Sequence, residues 1–333
     1  MSATNAGRSS GAEASELPAT RMAGTAIRVA NAPCSWGTIE GFGETTPWSQ
    51  MLDELVETGF VGTELGDLGY LPDEPAALQT ALGTRGLAML GGFEGVELRR
   101  PGVVAERRER ILRVARLLAA VADVGEPGRA PYFILADETR GDPVRTRHAG
   151  RITPELALPA EERPTFLRHA EEVARLVKGE TGLRTLYHHH CAAWVETPDE
   201  IERFLDGTNP ERIGLVFDTG HYVYGSGTTD DGDAALAGLR RFWGRTPYVH
   251  LKDCDPVVAE RARAEGWDYG RAIGEGVFCE LGQGSVDLAG VLAFLRTEGY
   301  DDWLTVEQDV LPGMGTPKES AARNRAMLRA LGL

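Results

Sequence analysis

From residue 27 onward the sequence predicts a single-domain α/β protein, a (β/α)8 barrel with an insertion after its seventh strand. Short β-branched runs alternate eight times with longer helical patterns, and polar residues gather where the short runs end. A helix, glycine, aromatic, strand, glutamate unit also occurs twice, once over Glu54 to Glu64 and again over Phe294 to Glu307. A chain of 333 residues holds one barrel of about 250 residues plus insertions. Residues 25–333 are assigned to the barrel. Residues 1–24, rich in Ser, Ala, Gly and Thr, read as a disordered tail without the apolar core of a signal peptide.

The first strand is Ile27 to Ala32, followed by a loop with Trp36. Thr46-Pro47 opens a helix as a hydroxyl cap before a first-turn proline. That helix turns Leu52, Leu55 and Val56 inward and stops at Gly59. Strand two is Phe60 to Leu65, its helix Glu74 to Arg85, and strand three Leu87 to Phe93. The third helix, Val103 to Val124, buries Ile111, Leu112, Ala115, Leu118 and Ala119 at helical spacing, so its many arginines form a wet face. Strand four is Tyr132 to Leu135, with its helix at Glu161 to Lys178, and strand five is Leu183 to His189. Thr197-Pro-Asp-Glu200 is a capping box that starts the next helix. Strand six is Ile213 to Asp218, with its helix over Asp233 to Trp243. Strand seven is Tyr248 to Lys252, and an irregular insertion then runs to about Gly284. The last unit is the helix Val286 to Arg296, strand eight at Trp303 to Gln308, and the helix Lys318 to Leu331. An open doubly wound sheet would carry a glycine-rich phosphate turn after strand one, where this chain reads Asn31-Ala-Pro-Cys-Ser-Trp-Gly37.

Composition narrows the function. The formal net charge of −15 disfavours a phosphate backbone as partner. No run of 18 apolar residues suggests a membrane span. Cys34, Cys191, Cys254 and Cys279 show no C-x-x-C spacing and read as small buried thiols in a reducing compartment, which predicts a cytoplasmic protein. The expected partner is a small polyol or keto-sugar, and a homo-oligomer is compatible with the sequence.

In a barrel of this type the active site forms where the strands end. Five of the seven histidines, His188, His189, His190, His221 and His250, stand at the ends of strands five, six and seven. Asp218, His250 and Glu307, on three neighbouring strands, are read as ligands of one divalent cation. Mixed nitrogen and oxygen donors suit Mn²⁺ or Co²⁺, with Mg²⁺, Fe²⁺ and Zn²⁺ also compatible. Side chains alternate along a strand, so His188 and His190 share a face and His189 points away. His188 is taken as the fourth ligand and His190 as a substrate or proton-transfer residue, two roles that can be exchanged. Trp36 either walls the pocket by stacking on a sugar ring or packs in the core. Glu275 and Glu280 in the insertion read as solvated loop carboxylates, and Gly282-Gln-Gly-Ser285 as the approach to a helix cap.

The segments YHHH, VFDTGH, VHLKD and TVEQD, with GTELG at Gly62 to Gly66, resemble the xylose isomerase-like barrel superfamily. The triple histidine followed by a helix starting TPDEI is most similar to the inosose dehydratases. The superfamily usually has a glutamate ligand at the end of strand five, where this chain has histidine. The resemblance implies a lyase that dehydrates a keto-inositol such as 2-keto-myo-inositol, or a related keto-sugar. A divalent cation would polarise the ketone and stabilise the enediolate as a Lewis acid. Glu307 or His190 would be the base, and His221 or Lys252 the acid for the departing hydroxyl. His190 and His221 would also contact substrate, and Glu64 would either hydrogen-bond a substrate hydroxyl or serve as a paired carboxylate in the barrel mouth. The alternative is an isomerase or epimerase that starts from the same deprotonation. Apurinic endonucleases share the barrel, but their zinc clusters draw on histidines of strands two and three, and this chain has none before His148.

Overall fold

A computed structural model of the chain describes Met1 and residues 27–37, 45–125, 128–228 and 232–333. Apart from Met1, the tail expected over residues 1–24 lies outside the described residues.

Eight strand positions follow in order. They are β1 (Arg28–Asn31), β2 (Gly62–Thr63), β3 in two pieces (Ala88–Met89 and Gly91–Val96), β4 (Tyr132–Asp137), β5 (Thr185–His188), β6 (Ile213–Asp218), β7 (Tyr248–Leu251) and β8 (Trp303–Val306). The longer piece of β3 begins a parallel sheet that continues through β4, β5, β6, β7 and β8 to β1. The short β2 closes the ring. It pairs parallel with Ala88–Met89 on one side, and on the other the Val61 amide donates to the Val29 carbonyl at 3.3 Å. The outer helices are α1 (Trp48–Thr58), α2 (Pro75–Gly83), α3 (Val103–Ala120), α4 (Arg163–Thr181), α5 (Pro198–Asp206), α6 (Ala234–Phe242), α7 (Leu288–Thr297) and α8 (Pro317–Ala330).

Local signals explain several boundaries. Gly59 ends α1 in the left-handed region at φ 89°, the stop its sequence position predicts. Thr197 and Glu200 form the capping box of α5. Thr46 does not cap α1, because the helix begins one residue later with Pro47 at its N-cap position. The insertion after β7 is not irregular. It contains the helices Pro256–Glu265 and Tyr269–Gly274, capped by Asp255 and Asp268, and an antiparallel ribbon of Asp253–Cys254 with Phe278–Cys279. Glu280 is buried and ion-paired to Arg323 at 2.6 Å, which corrects its assignment to solvent. Glu275 is exposed. Gly282 and Gly284 turn their amides onto the Asp253 carboxylate at 2.8 and 3.1 Å, so that nest is filled by the chain itself.

The core has two parts. Ala30, Leu90, Ile134, Leu186, Val216, Tyr248 and Trp303 fill the barrel interior. A larger cluster packs between the strands and the surrounding helices. Along β5 the two parts alternate, with Leu186 inside and Tyr187 outside against Phe166 and Phe204. This period of two decides what stands above the interior. Two residues beyond Leu186, Val216, Tyr248 and Thr305 come His188, Asp218, His250 and Glu307.

Candidate functional site

The four residues predicted as ligands meet at the barrel mouth. One donor atom from each of His188, Asp218, His250 and Glu307 lies within 4.8 Å of the others. The sheet register explains the meeting, because Asp218 pairs directly with His250 and His250 with Thr305, two residues before Glu307. His188 Nε2 is 3.9 Å from Asp218 Oδ2, and His250 Nδ1 is 3.2 Å from Glu307 Oε1.

On Asp218 and His250 the second polar atom is already committed. Asp218 Oδ1 accepts the His221 amide at 2.7 Å and so caps the helix Thr219–Ser226, while Oδ2 is buried without a partner. His250 shares a hydrogen bond at 2.7 Å between Nε2 and Glu64 Oε1, leaving Nδ1 unsatisfied. Neither nitrogen of His188 has a partner. Buried polar atoms are ordinarily satisfied, and each one left bare is costly. Two imidazoles and two carboxylates turned to one point, with bare atoms on His188, Asp218 and His250, fit a divalent cation.

Charge follows geometry. Burial pushes the Asp218 carboxyl up to about 7. Burial also opposes ionisation of Glu307, but the His250 and Lys252 charges outweigh it and hold its carboxyl well below the usual range. For His250 burial is outweighed by the Glu64 and Glu307 carboxylates, which raise it well above an ordinary imidazole. Lys252, also buried, is held charged by Asp309 and Glu307 at 3.5 and 3.7 Å.

A cavity of about 300 Å³ opens over this cluster, and His188, His190, His221, His250, Lys252, Glu64 and Glu307 all line it. His190 stays outside the four-donor group. Its Nδ1 lies 2.7 Å from the Cys191 carbonyl, and a carbonyl only accepts, so Nδ1 carries the proton and Nε2 keeps its lone pair. Burial lowers this imidazole to about 4, so it is neutral at pH 7. His221 packs against it with ring centroids 3.8 Å apart, and both its nitrogens are unpartnered. His189 faces away from the mouth, as its alternation predicts. It packs on Phe217 and Tyr222 and accepts the Asp218 amide at 3.1 Å.

Trp36 and Glu64 each carry two readings, a substrate contact and a structural residue. Trp36 is fully buried, donates its indole N–H to Glu54 at 2.7 Å and does not line the cavity. That environment is one of core packing. Glu64 does line the cavity, but Oε1 takes both the Tyr248 hydroxyl and His250, each at 2.7 Å, which makes it a paired carboxylate that orients His250. Sequence reasoning missed Arg140, Tyr269 and Asp309 in the lining. Asp309 stood in view two residues after Glu307. Arg140 and Tyr269 sit in a loop and in the insertion, where no periodicity marks direction.

The family described as xylose isomerase-like TIM barrel matches residues 52–331. This chain belongs to that family. Among curated relatives, the rhizopine catabolism protein MocC of Rhizobium meliloti is 32% identical over 310 residues, covering 92% of this chain and 88% of its own length. An inosose dehydratase of Geobacillus kaustophilus is 29% identical over 296 residues, covering 87% of this chain and 90% of its own. Two solved barrels of the same architecture superpose with a TM-score of 0.64. One is a probable 3-DHS dehydratase, AsbF, from Bacillus anthracis, at 11% identity and covering 91% of this chain and 99% of its own. The other is the IOLI protein with a bound zinc atom, at 14% identity and covering 92% and 98%. At such identities the likeness is one of fold.

Proposed function

We propose that this chain is a metal-dependent hydro-lyase that dehydrates a cyclic keto-polyol, 2-keto-myo-inositol or a close relative. The observation that carries the reading is the convergence of four donor atoms beneath a small cavity flanked by a neutral imidazole and a charged lysine. Relatives named inosose dehydratase support the choice of substrate. The cavity lies at the small end of the range for ligand sites, roughly 300–1,000 Å³, which suits one six-membered polyol ring.

A divalent cation held by His188, Asp218, His250 and Glu307 would supply a Lewis acid for the ketone oxygen, and Mn²⁺ or Co²⁺ suits the donor set. His190 is the stronger base candidate, because its Nε2 lone pair is free and Glu307 is held as a low-affinity carboxylate between His250 and Lys252. His190 takes the proton from the carbon beside the ketone. The electron pair of that C–H bond becomes a carbon–carbon double bond as the β-carbon loses its hydroxyl. Lys252 or His221 gives that hydroxyl a proton, and water leaves.

The test is an assay of chelator-stripped and Mn²⁺- or Co²⁺-reloaded protein on 2-keto-myo-inositol in D₂O. Loss of water with a new conjugated dicarbonyl absorbance, only in reloaded protein, is expected. Full turnover after stripping removes the metal, and washed-in deuterium without loss of water replaces the lyase by an isomerase or epimerase.

A further inference from the structure

Among the described residues, two that are not glycine adopt the left-handed backbone region, Arg140 and Ala192, each at φ 64°. They are bonded to each other. The Arg140 amide donates to the Ala192 carbonyl at 3.3 Å, joining the loop after β4 to the loop after β5. A residue with a Cβ is strained in this region, and such strain persists only where the surroundings impose it.

The surroundings here are buried and ionic. The Ala192 amide donates to Glu196 Oε2 at 2.8 Å, and the Gly150 amide donates to Glu196 Oε1 at 2.6 Å. Arg145, fully buried, donates to the Ala193 carbonyl at 2.9 Å and grips Glu200 with two bonds of 2.8 Å. Glu200 in turn accepts the Glu196 amide at 3.0 Å. This network clamps both loops in place at the rim of the cavity.

Two of the side chains that line the cavity from these loops matter here. His190 is one, and Arg140 is the other. The Arg140 guanidinium has no carboxylate partner among the described residues, and it hangs 5.9 Å from the ring of Tyr269, which the insertion supplies to the same cavity. Lys252, the other lysine or arginine lining the cavity, is paired with Asp309 at 3.5 Å. Arg140 is exposed, so its fork of donors is solvated at the mouth of the site and open to whatever enters the cavity it lines.

We propose that Arg140 is a substrate-binding residue whose guanidinium donates to two adjacent hydroxyl oxygens of the ring, on the side away from the metal donors. Glu196 is then a positioning residue, acting through Ala192. The inference rests on the keto-polyol reading and deepens it, since it assigns the substrate a vicinal diol beyond the reacting ketone and hydroxyl. A planar fork meets two neighbouring oxygens at once, and a lysine ammonium does not.

The experiment uses full-length, metal-loaded protein as wild type, Arg140→Ala, Arg140→Lys and Ala192→Gly. Two readouts are taken, steady-state kinetics on 2-keto-myo-inositol and calorimetric binding of unreactive myo-inositol. Arg140→Ala is expected to raise KM and weaken myo-inositol binding by about 10-fold or more, as for hydrogen bonds from a charged donor, with kcat changed much less. Arg140→Lys keeps most of that defect, and added guanidinium ion partly restores Arg140→Ala. Ala192→Gly relieves the strain, so its melting temperature rises by about 2 °C while KM also rises as the loop loosens. Unchanged KM and unchanged myo-inositol affinity in Arg140→Ala overturn the inference and leave the lyase reading intact. If wild type binds myo-inositol through Arg140 but does not dehydrate the ketone, the lyase reading falls and this inference stands. If wild type binds neither compound, the inference falls.

Discussion

Three consecutive histidines have three environments, and His189 gives the sharpest consequence at the scale of one residue. Its Nε2 accepts the Asp218 amide at 3.1 Å, so the ring must stay neutral to hold that strand end. Burial lowers it to about 3, against about 6.5 in an unfolded chain. The folded protein therefore binds fewer protons at this site than the unfolded chain between those values. The site carries no penalty above about pH 6.5, and a penalty that grows as pH falls toward 3. A His189→Gln variant keeps an acceptor but does not titrate. It is expected to be less stable than wild type at pH 7.5, with the deficit shrinking by about 2–3 kcal/mol by pH 4.5. Urea unfolding of metal-free protein across that range checks it, and a gap that does not change with pH refutes it. The period of two made the split between His188 and His189 legible in the sequence. Trp36 was not legible in the same way, because burial against Glu54 is a tertiary fact that its place after strand one does not encode.

At the scale of elements, the helix Thr219–Ser226 ties the proposed metal donor Asp218 to Lys252. Asp218 caps it, Thr219 Oγ1 donates to the Lys252 carbonyl, and Gly220 lies over the Lys252 side chain. A Cβ on Gly220 would stand 2.6 Å from Lys252 Cγ and 3.1 Å from its backbone carbon. The backbone contact leaves little room to move aside. Gly220→Ala is thus expected to cost about 1–3 kcal/mol of stability and, by displacing the lysine, to lower kcat. Thermal melting and turnover measured together decide it, and a variant that matches wild type in both shows that the helix can shift freely. The repeated helix–glycine–aromatic–strand unit of the sequence marks β2 and β8, the two strands that flank β1 in the closed ring. The insertion was read as irregular although Asp255-Pro256 and Asp268 are helix starts. Its helices are short and lack a long apolar stripe, so periodicity was silent where capping chemistry spoke.

Over the whole molecule, the barrel concentrates buried, unsatisfied donors at one end. His188, Asp218 and His250 all hold bare atoms there, and Asp218 is a carboxylate that burial resists ionising. Such a cluster weakens the metal-free fold, since each uncompensated buried group costs free energy that water would have supplied. The unfolded chain has no preformed site, so a cation that binds only the folded state stabilises it by mass action. At a free concentration 100 times its dissociation constant the gain is about 2.7 kcal/mol, a rise of roughly 5 °C in melting temperature for a chain of this size. Asp218→Asn tests the source of both terms. The amide keeps an oxygen for the His221 amide but removes the charge that burial opposes, so metal-free Asp218→Asn is expected to melt no lower than metal-free wild type. The same change removes an anionic donor, so the metal-dependent rise is lost. Wild type therefore leads when loaded with Mn²⁺ or Co²⁺ and loses that lead under chelator. Calorimetric melts of both proteins in both states decide the matter. A variant that keeps the full metal-dependent rise would place the cation elsewhere.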